Sequence, residues 1–194
     1  MKKLAYIISR VFDPAFLTAA LILIIVLLSP LSSQQKLIWI IIFEILDFII
    51  PVGVFVYLHK TKQISDIDIT DRKERLPLFK LTTSLYGISF LLSLLFKLPQ
   101  EIIITSFSAF VIMVVWTIIT PYWKISAHIA GITTCTLLIY FLTDLTWIRW
   151  VGPLLIILIA WSRYIQKKHT LKQLVGALIL SSILVIAIVG IIKL

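Results

Sequence analysis

LKQLVGALILSSILVIAIVGII, residues 171–192, decides the fold class. Its one charge, Lys172, stands at the very start. As a helix, a run of about 20 apolar residues rises about 30 Å, the depth of bilayer hydrocarbon. The same pattern recurs toward the N-terminus, at 147–161, 125–142, 102–120, 78–96, 37–58 and 14–31, giving seven candidate spans. Sixty per cent of the 194 residues are hydrophobic and 14% are charged, which excludes a soluble domain with a charged surface. The expectation is an all-α integral membrane protein, a bundle of about seven transmembrane helices forming one domain over residues 1–194. Pro51 predicts a kink within the second span rather than its end. The short sixth span is extended by interfacial Trp147, Trp150 and Tyr164.

Ahead of the first span, Lys2, Lys3 and Arg10 alternate with Leu4, Tyr6, Ile7, Ile8, Val11 and Phe12. That pattern suits an amphipathic helix on the membrane surface. Asp13-Pro14 reads as an N-cap and first helical position. A signal peptide is the competing reading, but no small-residue cleavage site follows the apolar run. Lys36, Lys97, Arg149 and Lys193 follow odd-numbered spans, and the other fourteen of the eighteen basic residues fall on the opposite side. Twelve remain there when Arg75 and Arg163 are set aside. The positive-inside bias therefore puts the N-terminus in the cytoplasm and the C-terminus outside. The bilayer itself is a partner, since topology and anionic headgroups account for the +9 net charge. Nucleic acid is not expected as a partner, because the basic residues sit at helix ends. Cys135 is a lone cysteine in mid-span, with no partner for an internal disulfide, and reads as a small packing residue.

Three polar clusters interrupt the apolar runs. They are Asp71-Arg72-Lys73-Glu74-Arg75-Leu76-Pro77, then Lys124-Ile125-Ser126-Ala127-His128, then Ser162-Arg163 followed after five residues by His169. Two spans separate each cluster from the next, so all three return to one face, the cytoplasmic one. Arg75 and Arg163 offer rigid forks suited to phosphate oxygens. Neutral His169 is a competent nucleophile toward phosphorus. His128 lies just inside a span, where a histidine meets a polar partner or lines a cavity, and the free amides of that helix start point at an anion. Each cluster also has a plainer reading. Arg163, Lys167 and Lys168 can anchor topology with His169 a bystander, and His128 can bond a backbone carbonyl. Arg72 and Arg75 share a face if that stretch is helical, and Asp66, Asp68, Asp71 and Glu74 can neutralise them in a solvated loop.

In this order the clusters resemble the type 2 phosphatidic acid phosphatase superfamily, the lipid phosphatases related to vanadium haloperoxidases. The family's third motif is Ser-Arg, five residues, His, three residues, Asp. Ser162, Arg163 and His169 match it, with Gln173 at the Asp. Its second, Pro-Ser-Gly-His, is met by Ile125-Ser126-Ala127-His128. Its first, Lys, six residues, Arg-Pro, is met loosely by Arg75-Leu76-Pro77, with Asp68 at the lysine position and Arg72, Lys73 or Lys124 as substitute cations. The resemblance covers residues 70–180. It implies a six-helix phosphatase-like core and hydrolysis without a metal or other cofactor. Arg75 and Arg163 would hold the non-bridging oxygens, helped by Ser126, Ser162 and Lys124. His169 would form a phosphohistidine, and His128 would protonate the leaving group and then activate water. Gln173 would orient His169 through its carbonyl but could not stabilise an imidazolium as a carboxylate does, which implies a slower or lost activity. The substrate would be a phosphatidate or an isoprenoid phosphate or diphosphate.

Glu44 and Asp47 lie three apart within the second span, where carboxylates mark an ion path or a polar interhelical contact. Asp66, Asp68 and Asp71 resemble half of the aspartate-rich pair by which membrane prenyltransferases hold magnesium diphosphate, and no second such motif follows. A non-enzymatic scaffold or carrier of the same fold is the third reading, supported by Gln173. A transporter rests on Glu44 and Asp47 alone.

Overall fold

Apolar runs away from water must satisfy their backbone polar groups internally, and this chain does so by coiling. The computed structural model describes residues 1–193; among them are helices and turns but no strand. In order the helices are α1 (Lys2–Val11), α2 (Pro14–Leu28), α3 (Ser33–Lys60), α4 (Arg72–Leu95), α5 (Gln100–Ile119), α6 (Ala127–Leu142), α7 (Ile148–Ile165) and α8 (Leu171–Lys193). Five of them, α3, α4, α5, α7 and α8, are long and apolar enough to cross a membrane. The pair α1 and α2 passes the same test together but is bent by 41°. The 16-residue α6 is apolar but shorter, about 24 Å at 1.5 Å per residue.

Boundaries have local causes. Helix α2 stops at Leu28, short of the expected 31, because Ser29 folds its hydroxyl back onto the Val26 carbonyl (2.8 Å) and Pro30 follows. Asp13 Oδ1 accepts from the Ala15 amide at 3.1 Å and caps the start of α2. The kink expected at Pro51 takes the form of a π-turn at Ile45–Ile49, inside a continuous α3. Proline cannot return a hydrogen bond to the Asp47 carbonyl, and the extra residue accommodates its ring. Helix α4 begins at Arg72, before the expected 78, because Asp71 accepts from the Lys73 amide at 2.9 Å as an N-cap.

Helices α3, α4 and α7 end alike. Lys62, Lys97 and Lys167 take left-handed φ values of 59°, 48° and 56°. In each, the next residue's amide closes the last turn: Gln63 to Leu58 O, Leu98 to Ser93 O and Lys168 to Arg163 O. These are Schellman closures with lysine where glycine is usual. A lysine there pays backbone strain but sets its charge at the negative end of the helix dipole.

The chain divides into two units, one of Ile22–Lys124 and one of Met1–Leu21 with the residues from Ile125 onward. In the first of these, α4 packs along α5, and α3 lies against α4 through its π-turn. The inward face of α4 buries Thr82, Ser89 and Ser93 beside Leu85 and Tyr86, while Ile88, Leu91, Leu94 and Leu95 face outward. That inversion of the water-soluble pattern suits lipid outside and hydrogen bonding inside. Ser93 Oγ meets Ser106 Oγ at 3.0 Å, and Thr83 meets Thr117 at 2.9 Å.

In the other unit α6 is central, with α7 and α8 against it and α1 against α7. Ile129, Ala130, Ile132, Thr133, Thr134, Cys135, Thr136, Leu138 and Ile139 are all buried, so the short α6 is an enclosed helix. Gly131 of α6 faces Pro14 and Leu17 of α2, where an added Cβ would make ordinary van der Waals contact. Cys135 packs there, its thiol donating to the Leu17 carbonyl at 3.4 Å. Gly152 of α7 abuts the Thr136 side chain, where an added Cβ would overlap Thr136 Cγ2.

Candidate functional site

One polar cluster lies within the second-described unit, where α1, the start of α6 and the end of α7 meet. Ser126 caps α6, its hydroxyl facing the Ile129 amide at 3.5 Å. The cap turns the chain so that His128 points inward and is buried. On α7, Ser162 and Arg163 occupy the last turn, where a cation complements the helix dipole. Arg163 is 1% exposed. The Schellman turn at Lys167 then reverses the chain and delivers His169, also buried, to the start of α8.

His128 and Arg163 meet on a residue the sequence reading did not single out. Ser9 of α1 is fully buried. Arg163 Nη1 donates to its hydroxyl oxygen. His128 Nε2 lies 3.3 Å from that oxygen and 3.2 Å from the Ser9 carbonyl. A carbonyl only accepts, so Nε2 carries the His128 proton and faces Ser9 as a donor. Both side chains are thus directed at Ser9, Arg163 at its hydroxyl oxygen and the single His128 Nε2 proton at its carbonyl and hydroxyl oxygens together. One turn earlier the Ala5 carbonyl accepts from Ser162 Oγ at 2.6 Å and Gln166 Nε2 at 3.1 Å. Ala5 and Ser9, four apart, are the small residues that let α1 approach α7 so closely. That small-xxx-small stripe was the legible signal for Ser9. It lies in a stretch otherwise read as a membrane-surface helix.

Gln173 serves two ends. Its Oε1 accepts from the Thr170 amide at 3.1 Å, while Thr170 Oγ1 faces the Gln173 amide at 3.4 Å. This is a capping box for α8. The same Oε1 stands 3.3 Å from His169 Nδ1. Because the backbone amide fixes which end of the Gln173 side chain is oxygen, His169 must donate from Nδ1, leaving the lone pair on Nε2.

The remaining residues of the sequence reading lie in the unit of Ile22–Lys124. Arg75 is buried there, with Nε donating to Ile69 O at 2.8 Å and Nη2 reaching Asp68 O at 3.4 Å. Arg72 donates to the Tyr122 carbonyl at 2.7 Å. Lys124 is half-buried in the link before α6. Asp66 accepts from the amides of Asp68 (2.8 Å) and Thr70 (3.0 Å), so its carboxylate shapes a turn. Among the described residues no group of three or more His, Cys, Asp or Glu is placed to hold a metal ion. Ser89 donates to Asp47 Oδ1 at 2.6 Å, a polar contact between α3 and α4. Compared with protein-family models, curated proteins and solved structures, the chain matches none.

Proposed function

We propose that this protein is an integral membrane phosphatase acting on the phosphate monoester or diphosphate of a lipid, such as a phosphatidate or a polyprenyl phosphate. The supporting observation is the convergence of the Arg163 guanidinium and the His128 Nε2 proton on the oxygens of one buried residue, Ser9. That is the donor geometry a phosphoryl group needs. The second support is His169, whose Nδ1 contact with Gln173 leaves Nε2 nucleophilic.

In this reading His169 Nε2 attacks phosphorus and the bond to the leaving oxygen breaks. His128, acting as the imidazolium, gives its Nε2 proton to that oxygen and becomes neutral. Water, activated by the now neutral His128, then cleaves the phosphohistidine to inorganic phosphate. Arg163 holds non-bridging oxygens throughout, and the reaction uses no metal. Ser126 and Ser162 belong to the same reading as further phosphate contacts. The chain crosses the bilayer seven times, and the site faces the cytoplasm, as fourteen of eighteen basic residues argue.

One observation favours a second reading, a scaffold of this fold without catalysis. Ser9 and Ala5 already accept the hydrogen bonds of Arg163, His128 and Ser162. A phosphate-release assay on purified protein, with phosphatidate and polyprenyl phosphates, decides between them. Wild type should release phosphate with chelator present, and His169→Ala should release none. A His169→Ala variant at full rate removes the nucleophile reading. Turnover only with magnesium would favour the prenyltransferase class, and no turnover on any lipid the scaffold.

A further inference from the structure

Helix α1 is held by the site's own side chains. Its inward face presents Ser9 to Arg163 and His128, and the Ala5 carbonyl to Ser162 and Gln166. Its outward face carries Leu4, Tyr6, Ile7 and Val11, all exposed. It joins α2 at Phe12, whose φ of −102° and ψ of 40° leave the helix, and the axes there bend by 41°. We propose that α1 is a displaceable lid and that the Ser9 hydroxyl holds the place of a phosphate oxygen. A phosphate group entering the site takes the Arg163 and His128 hydrogen bonds, and α1 swings away about the Phe12–Asp13 joint. This inference rests on the phosphate reading of the site.

The exchange is physically favourable for three reasons. A neutral hydroxyl is a weaker acceptor than a phosphate oxygen, which brings a negative charge and a second oxygen for the guanidinium fork. The phosphate replaces Ser9 as acceptor for Arg163 and His128, and Ser162, released from the Ala5 carbonyl, turns its hydroxyl to the same phosphate while Gln166 keeps its bond to Ser162 Oγ (3.1 Å). The apolar outer stripe of α1 can stay against lipid in both positions, with Lys2 and Lys3 at its start suited to anionic headgroups. The closed lid reduces the population able to bind, so apparent phosphate affinity falls by the fraction that is open.

The test uses the full chain in phosphatidylcholine nanodiscs. In a Cys135→Ser background, Ala5→Cys places a thiol on the fully buried inward face of the lid. Its labelling rate by a water-soluble maleimide is measured alone, with inorganic phosphate, and with phosphatidate added to the nanodisc. Phosphate release from phosphatidate is followed in parallel. The rate should rise by about tenfold with a phosphate source and not with phosphatidylcholine alone. Arg163→Gln should remove the rise. A rise with both sources assigns the phosphate group itself, and a rise with phosphatidate alone assigns the lipid-held headgroup. Unchanged labelling in protein that hydrolyses phosphatidate overturns the lid and leaves the phosphatase reading standing. A rise without phosphate release supports the lid and rejects hydrolysis. Unchanged labelling without release rejects both. Ser9→Ala tests the same point without a new thiol. Removing the competing oxygen should tighten inorganic phosphate binding about three- to tenfold by calorimetry. Weaker binding would make Ser9 a ligand of the phosphate and overturn its role as place-holder.

Discussion

Gln173 bonds both the Thr170 amide and His169 Nδ1, so two substitutions separate its roles. Gln173→Leu loses the capping box and should cost about 1 kcal/mol of stability, read as a lowered Tm. It also frees the His169 ring, so phosphate release should fall further than stability explains. Gln173→Asp should keep the cap and raise kcat, because a carboxylate also stabilises the charge that develops on His169. An unchanged kcat would show that the ring's charge is balanced elsewhere. His128→Ala should hurt esters with poor leaving groups most, by about 10²–10⁴-fold, and activated aryl phosphates least. Equal losses on both would show that His128 binds rather than donates. Ser89→Ala removes the donor to Asp47 within the membrane helices. Such contacts are worth about 0.6 kcal/mol and at most about 1.7, a range that unfolding in detergent can resolve. The intramembrane carboxylate was legible in the sequence as costly. Its partner was not, since Ser89 lies 42 residues away on another helix.

At the scale of the element, the lysine-ended Schellman turns give a stabilising prediction. Lys97 holds a left-handed φ of 48° that glycine adopts without strain. Lys97→Gly should therefore raise Tm, by about 1 kcal/mol of stability, offset in part by glycine's unfolded-state freedom. No change would mean that the lysine charge at the helix end compensates. Gly152→Ala should do the opposite, since its Cβ overlaps Thr136 Cγ2 between α7 and α6. Overpacking of this kind costs about 1–3 kcal/mol. The Thr136 hydroxyl is buried without a hydrogen-bond partner, so Thr136→Ala should cost little alone and restore most of the loss in the double variant. Additive losses would show that the clash is relieved by another route.

For the whole molecule the prediction is orientation. Single cysteines at Lys167 and Ser33, in a Cys135→Ser background, are treated with an impermeant reagent in intact cells. Ser33 should label and Lys167 should not, because the positive-inside bias predicts the larger group of basic residues on the cytoplasmic side. The reverse pattern would invert the protein and move its lipid pool to the outer leaflet.

Hydrophobic runs such as 171–192 determined by themselves that the chain is helical and long enough to cross a membrane repeatedly. A continuous apolar segment of about 20 residues satisfies all its own backbone polar groups only as a helix, so composition and length suffice. Local chemistry also determined the start of α2 at Asp13-Pro14 and the spacing of Arg163 from His169 across one turn. Tertiary structure alone decided what these side chains face. Ser9 reaches Arg163 across 154 residues and His128 across 119. No periodicity encodes a contact at that separation; it follows from the small stripe of Ala5 and Ser9 seating α1 on α7. Arg75, grouped with the other clusters by parity of crossings, donates to the Ile69 and Asp68 carbonyls, partners that parity could not name. Parity places residues on a face, whereas hydrogen-bond partners depend on which helices pack and in what register.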